Sequence, residues 1–454
     1  RKNKSKNNDI KYLRELPDDS SPALVGGVMT KSVNDNEILA TIVDLIRKKV
    51  LTLETSDKKT IITLTGSTET LSDQEKALID IYINDFGDGK SLDLKSFGFF
   101  HKVPMSTARK FEKWSSYITN EINRKGFNIL NTEVYGGPIL STWFDRPLSF
   151  SGRVFVESDN AFKPKKYFIN YDKDLFIIPS LCIHQNRGVN DGMAINAQKD
   201  TLPLVTITDE KEKFSLKKLL AKQLKVKEDK ILSYDLNLYS REKGCLLGAN
   251  EEFISVGRLD NLAALHAGLM SLVDNKDKKN TCVVVGYDNE EIGSNSIQGA
   301  DSPTLKNILE RISNAMKLSF EEHQQALANS FVISNDAAHS IHPNYLEKSD
   351  PTNEPKINAG PVIKMAANKS YITDGYSKSV IEKIAKDSKI PIQTFVNRSD
   401  VRGGSTIGPI QQSQIRILGI DIGSPLLSMH SVRELGGVDD HYNLYKLIGE
   451  FFKI

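Results

Sequence analysis

Residues 331–345 read FVISNDAAHSIHPNY. The apolar opening, Phe331–Ile333, has the composition of a buried strand. Polar chemistry begins where that strand should end, with Asp336, His339 and His342. In open α/β sheets, ligands gather beyond the carboxyl ends of strands. The arrangement recurs elsewhere. Residues 283–294, VVVGYDNEEIGS, lead from a candidate strand (Thr281–Val285) into Asp288, Glu290 and Glu291. Residues 417–435, ILGIDIGSPLLSMHSVREL, lead from a strand through a Gly-Ser-Pro loop to His430. Residues 255–261, SVGRLDN, set Asp260 at the entrance to a helix whose apolar face includes Leu262, Leu265 and Leu269. Further strands are expected at Arg153–Val156, Leu204–Ile207, Ile392–Val396 and Ile415–Ile420. Helices are expected at 259–273, 303–315, 320–328 and 375–387. This alternation predicts an α/β layered fold.

Four polar strand ends suit a metal-assisted hydrolase. Zinc takes imidazole nitrogen and carboxylate oxygen, and a catalytic site leaves room for water. A two-metal site needs a carboxylate bridging ions about 3.5–4 Å apart. A further carboxylate must take the water's proton and return it to the leaving amine. Adjacent Glu290 and Glu291 can divide those tasks. Each residue also has a plainer explanation. Asp260 suits an N-cap or first-turn charge. The Glu pair suits a solvated loop, and Asp336 a cap on the next turn. His266, among leucines, suits a packed core. His101 and His323 have no supporting context.

The chain has 454 residues, enough for two or three domains. With 39% apolar and 26% charged residues it should fold as an ordinary globule. Sixty basic against 58 acidic residues, net +2, argue against a whole-chain nucleic-acid binder. Cys182, Cys245 and Cys282 are too few and too scattered for a disulfide framework or a cysteine zinc site, which fits a reducing, cytoplasmic setting. No apolar run reaches about 18 residues, so no transmembrane segment is expected. No signal peptide, internal repeat or low-complexity tract is visible. A first residue of Arg rather than Met suggests a piece of something longer.

The first part, to about residue 126, differs in character. Arg1, Lys2, Lys4 and Lys6 form a basic, solvated tail, with a juxtamembrane stub as the rival reading. Residues 36–50 carry a helical stripe at Ile38, Leu39, Ile42, Val43 and Ile46. The segments LTLE and KTIITL around a Ser-Asp-Lys-Lys turn then read as a hairpin. Helices are also expected at 72–85 and 105–125. Helix then hairpin is winged-helix-like, and without a basic face it suits interaction or structure better than DNA contact. Residues 215–232, rich in Lys and Leu, suit an exposed helix.

Residues 127–454 resemble the aspartyl aminopeptidase family, which includes the aminopeptidase I type of zinc metallopeptidase. The motifs are TEVYGGPILSTWFDRPL, IPSLCIHQNRGVN, SVGRLDNLAA, YDNEEIGS, SNDAAHSIHPNY, GPVIK, GGSTIGPI and SPLLSMHSVRE. The resemblance implies a zinc-exopeptidase-like layered mixed sheet with helices on both faces, N-terminally incomplete. It implies an inserted β-rich dimerisation domain, and the winged-helix-like region precedes both. The expected boundaries are 1–126 for that region, 127–134 with 249–454 for the catalytic domain, and 135–248 for the dimerisation domain. By resemblance, Asp260 bridges two zinc ions, Glu290 is the general base, Glu291 and His430 complete one metal, and Asp336 serves the other. His339 and His342 line the substrate pocket, and Asp400, Ser405 and Thr406 shape it. Lys364 would attract an acidic substrate side chain, in keeping with removal of N-terminal Asp or Glu. His184 would reach a neighbouring subunit's site, within the family's tetrahedral dodecamer.

Family members carry a further catalytic segment ahead of TEVYGG, with a GAHTDSP-like motif whose His completes the second metal. That motif is not in this sequence, where the upstream histidine is His101 in GFFHKVP. Residues 10–125 instead resemble the cytosolic region of a family of predicted bacterial membrane proteins, through RELPDDSSPALVGG and EILATIVDLIRKKVLTLE. The chain therefore reads as the tail of one protein joined to the later portion of another. The second zinc is doubtful, and peptidase activity is expected to be weak or absent. The rival expectations are a non-catalytic assembly protein built on a peptidase scaffold, and a membrane-linked regulatory module in residues 1–125.

Overall fold

The computed structural model describes residues 35–56, 59–69, 71–94, 110, 114, 127–208, 214–276, 279–401 and 403–454. The basic tail, RELPDDSSPALVGG, His101 and most of the expected 105–125 helix lie outside the described residues. In chain order the elements are α1 (Asp35–Arg47), β1 (Leu51–Thr55), β2 (Thr60–Leu64), α2 (Asp73–Ile79), β3 (Ser91–Asp93), β4 (Phe127–Ile129), β5 (Leu148–Val156), β6 (Lys165–Asn170), β7 (Leu204–Ile207), α3 (Leu216–Leu224) and β8 (Ile231–Ser240). They continue as β9 (Cys245–Leu247), β10 (Phe253–Val256), α4 (Leu259–Asp274), α5 (Thr304–Ala315), α6 (Phe320–Ala328), β11 (Phe331–Asn335), β12 (Ala338–His339) and β13 (Val362–Met365). The last are α7 (Gly375–Asp387), β14 (Gln393–Val396), α8 (Ile407–Ile415), β15 (Leu418–Gly423), β16 (Pro425–Leu427), β17 (Glu434–Gly437) and α9 (Val438–Phe451). The chain divides into two compact units, residues 1–132 with 198–231, and residues 133–197 with 232–454.

In the first unit, α1 leads into the β1–β2 hairpin, paired from Leu51↔Leu64 to Thr55↔Thr60, and β3 adds antiparallel to β2. Ile42, Leu45, Leu51, Ile62, Leu78 and Trp114 share its core. The buried stripe of α1 runs through Ile42 and Leu45, while Leu39 and Val43, expected inside, are exposed. At about 100° per residue, adding Leu45 rotates the seam away from them. Ser72 caps α2 in a reciprocal capping box with Glu75. Residues 80–85 then continue as a wider π-helical turn. Of the expected helix at 215–232, Leu216–Leu224 is α-helical, Glu228–Lys230 form one 3-10 turn, and strand β8 begins at Ile231. Lys225 closes α3 in a left-handed conformation.

The second unit carries the α/β architecture. A four-stranded mixed sheet has the order β11-β15-β13-β14, with β11–β15 and β13–β14 parallel and β13–β15 antiparallel. Ile363, Ile420 and Ile422 from this sheet pack with Ile381 and Ile384 of α7 and Leu444 of α9. Each such side chain, fully buried, contributes about 1.5–3 kcal/mol. A five-stranded sheet has the order β12-β16-β17-β10-β9, and β6-β5-β8 form a third. The helices expected at 259–273, 303–315, 320–328 and 375–387 are α4, α5, α6 and α7.

Two strand expectations need correction. Ile415 closes helix α8, and the strand after it starts at Leu418. Thr281–Val285 is not in a sheet. Its side chains partly pack on α4, where a Cβ at Gly268 would meet Val284 at 3.7 Å. A strand needs a laterally paired backbone as well as an apolar pattern, and among the described residues no strand lies paired beside this one.

Candidate metal centre

The polar strand ends of the second unit converge in part. Asp260, Glu291 and His430 each offer one ligand atom, all within 4.8 Å of one another. His430 Nε2 lies 3.3 Å from Asp260 Oδ2 and 3.4 Å from Glu291 Oε2. Asp260 stands in the first turn of α4, but φ −79° and ψ 108° take its backbone out of the helix. Its carboxylate therefore serves the cluster rather than capping the helix.

Glu434 holds two of these ligands from behind. It is 2% exposed. Its Oε2 accepts the Asp260 amide at 2.9 Å and its Oε1 the His430 amide at 2.8 Å. The loop of the TEVYGG motif closes another side. His430 Nδ1 lies 3.1 Å from the Gly137 carbonyl oxygen, which leaves Nε2 for a metal. Gly136, at φ +71°, comes so close to Glu291 that a Cβ would meet its carbonyl oxygen at 3.0 Å. Tyr135 Oη accepts the Asn289 side-chain amide at 2.8 Å, steadying the turn that carries Glu290 and Glu291.

The electrostatics are those of crowded carboxylates. Burial, then the charges of Asp336 and Glu291, raises the Asp260 carboxyl far above its ordinary range. Burial and the same two neighbours lift Glu290 to about 7. Lys364 offsets this crowding only in part, and crowded carboxylates of this kind favour a cation. The donor set fits zinc, with two carboxylate oxygens, one oriented imidazole and exposure at Glu291 and His430 for further ligands.

Asp336 is engaged differently. Its Oδ2 accepts the Lys364 ammonium at 2.9 Å, and that ammonium also donates to the Ala337 carbonyl at 3.1 Å. Lys364 is buried, over the Tyr371 ring. Behind it Asp421, fully buried, accepts the Thr406 hydroxyl at 2.7 Å and the Ile372 amide at 2.6 Å. Thr406 thus belongs to a buried network, whereas Ser405 is exposed and bonds the Ser370 carbonyl. Asp400 pairs with Arg398 at 2.7 Å. His339 stands edge-on to Phe395 with ring centres 5.8 Å apart, and His342 Nδ1 accepts the Asn344 amide. His184 is exposed on a turn. His266 is exposed rather than packed in the core, with its Nδ1 3.1 Å from His441 Nε2. His323 is buried against Ser313. A cavity of about 420 Å³ lies beside the cluster rather than at it, lined by Ile254, Leu259, Leu262, His266, Leu426 and His441.

The sequence singles out all three residues of this group, but not Glu434 or Asp421. The signal for Asp421 is a lone carboxylate within the apolar strand ILGIDIG, and for Glu434 an acid four residues after His430.

Comparison with known proteins completes the description. The family model described as Aminopeptidase I zinc metalloprotease (M18) matches residues 118–452. Another, described as Predicted membrane protein (DUF2207) C-terminal domain, matches residues 9–139. A probable M18 family aminopeptidase 2 of Clostridium novyi (strain NT) is 50% identical over 327 residues, 72% of this chain and 76% of that protein. Among solved structures, one described as the Ape4 and Nbr1 complex matches with TM-score 0.68 and 36% identity, over 72% of this chain and 67% of that one. The mApe1 dodecamer of S. cerevisiae matches with TM-score 0.60 and 27% identity, over 72% of this chain and 73% of that one. Among the described residues no helix is long and apolar enough to cross a membrane.

Proposed function

The chain belongs to the M18 family of aminopeptidase I zinc metalloproteases, and from that premise we propose that it removes acidic N-terminal residues from peptides at the Asp260–Glu291–His430 centre. The convergence of those three donors carries the reading. Zinc held there would supply Lewis acidity and lower the pKa of water. Glu290, next to Glu291 and raised toward neutrality, takes the proton of the attacking water and delivers it to the leaving amine. Glu434 and the Gly137 carbonyl keep Asp260 and His430 in place. His339 and His342 line the peptide pocket, with exposed Ser405 in its wall and buried Thr406 supporting it from behind. The family resemblance assigns Lys364 the preference for acidic residues, its ammonium lying buried and bonded to Asp336.

That same bond supports impaired turnover. Asp336 is the donor left for a second zinc, and an ammonium already neutralises it. Asp260, Glu291 and His430 are the group of three donors found among the described residues. One zinc per chain and weak activity follow. The likeness to a dodecameric structure supports a homo-oligomer, with residues 135–248 as the dimerisation domain and exposed His184 reaching a neighbouring subunit. Residues 127–134 with 249–454 form the catalytic domain, residues 1–126 a separate module of membrane-protein type, and the setting is cytoplasmic.

The test is zinc content together with release of N-terminal Asp or Glu from short peptides. Glu290→Gln should leave bound zinc unchanged and lower turnover by about 10²–10⁴-fold. If the wild type and Glu290→Gln behave alike in every assay, the chain is a non-catalytic scaffold.

A further inference from the structure

Helices α4 and α9 pack together, and each contributes one histidine to a shared point. His266 Nδ1, on α4, lies 3.1 Å from His441 Nε2, on α9, although 175 residues separate them in the chain. The rings are tilted by 36°, with centres 5.1 Å apart. A hydrogen shared between the two nitrogens accounts for this distance. So does an ion, since two imidazole nitrogens bound to one metal at about 2.0–2.1 Å stand roughly 3–3.4 Å from each other.

The surroundings favour the ion. Burial and the neighbouring imidazole lower the pKa of His441, so at neutral pH it holds the uncharged form that binds metals. His441 Nδ1 is buried without a hydrogen-bond partner. No second bond therefore fixes its tautomer, and the ring proton can sit on Nδ1 while Nε2 turns its lone pair to a metal. His266 is exposed, which provides an entry path. The cavity of about 420 Å³ borders both histidines. Among the described residues no third imidazole, carboxylate or cysteine joins the pair. The other coordination positions therefore fall to water, for which the cavity has room.

We propose that His266 and His441 form an accessory metal site, which takes one divalent ion of the zinc, nickel or copper class and clips α4 to α9. Imidazole suits these ions, whereas Mg²⁺ and Ca²⁺ prefer oxygen ligands. A clip between residues so far apart in sequence closes a long loop of the unfolded chain, so the bound ion stabilises the second unit. Two protein ligands hold an ion more weakly than three, so the accessory site fills after the Asp260–Glu291–His430 centre. The two sites share no donor, and the accessory site does not depend on the catalytic reading.

The experiment dialyses the full, untagged chain against Ni²⁺ at about 100 µM free ion and counts bound nickel. The wild type should hold one ion more than His266→Ala or His441→Phe. His266 is exposed, so His266→Ala keeps the fold, checked by circular dichroism, and decides the matter even if His441→Phe does not fold. It should lower affinity for the accessory ion by about 100-fold or more, beyond the cost of losing an orienting group. His430→Ala should keep that ion, and Ni²⁺ but not Mg²⁺ should raise its melting temperature. Paramagnetic Ni²⁺ should also broaden the ring proton signals of both His266 and His441. Three results would overturn the proposal: equal nickel in the wild type and His266→Ala, no nickel in His430→Ala, or equal stabilisation by Mg²⁺. The second of these would leave the Asp260–Glu291–His430 centre as the place where nickel binds.

Discussion

Next to the three candidate ligands, the acid that matters most is Glu434, whose carboxylate accepts the backbone amides of Asp260 and His430. Groups that orient ligands typically contribute 10–100-fold to metal affinity. Glu434→Gln keeps one acceptor oxygen and replaces the other with a donor, so one of the two amides faces a repulsive partner. Zinc affinity, measured by competition with a chelating dye, should fall by about 10–100-fold with the fold intact. His430→Ala removes a ligand outright and should fall further. Equal affinity for wild type and Glu434→Gln would show that Asp260 and His430 hold their places without it. Such a residue is hard to find in a sequence. An acid between Arg433 and Leu435 looks solvated until the fold buries it, and nothing local announces that its partners are two distant amides. The three candidate ligands stand out more, because Asp260, Glu291 and His430 each follow an apolar stretch that gives way to polar residues.

At the level of elements, β15 and β11 carry Asp336 into place by continuing their parallel pairing past their ends. The Asp336 amide donates to the Ile422 carbonyl and the Ala338 amide to the Ser424 carbonyl, both at 2.9 Å. This close passage needs a glycine at position 423, since a Cβ there would collide with the Asp336 backbone carbonyl. Backbone cannot swing aside as a flexible side chain does. Gly423→Ala should therefore destabilise the second unit by about 3 kcal/mol or more, at the upper end for overpacking. Urea denaturation checks this, and wild-type stability in the variant would mean that the two strand ends separate freely. Helices were the legible elements, because the period of α4, α5, α6 and α7 is written within each segment. Strand 281–285 was not, because a strand is completed by a neighbour distant in the chain, and apolar alternation is silent about whether one is there. The seam of α1 erred for a related reason. Five apolar positions suggested a stripe, but only packing decides which side of it turns inward.

For the molecule as a whole, stability should depend on pH through a carboxyl outside the Asp260–Glu291–His430 group. Asp440, at the start of α9, is fully buried and accepts the amides of Asn358 at 2.6 Å and Gly360 at 2.8 Å. Burial outweighs those donors and raises the carboxyl from 3.8 to about 6. Between these values the folded protein holds a proton that the unfolded chain releases. The contribution is therefore fully present below about pH 4 and is lost as pH rises through 6. A shift of about two units at roughly 1.4 kcal/mol each gives about 3 kcal/mol. The second unit has its own core, with Leu444 and Leu447 of α9 at its centre. Amide exchange at those two residues, corrected for intrinsic rate, follows that unit alone. Protection should fall by about two orders of magnitude between pH 4 and 7 from this group. Asp440→Asn, which cannot ionise, should remove that part of the slope while leaving the slope from other groups. Parallel profiles for the two proteins would place the pH dependence elsewhere.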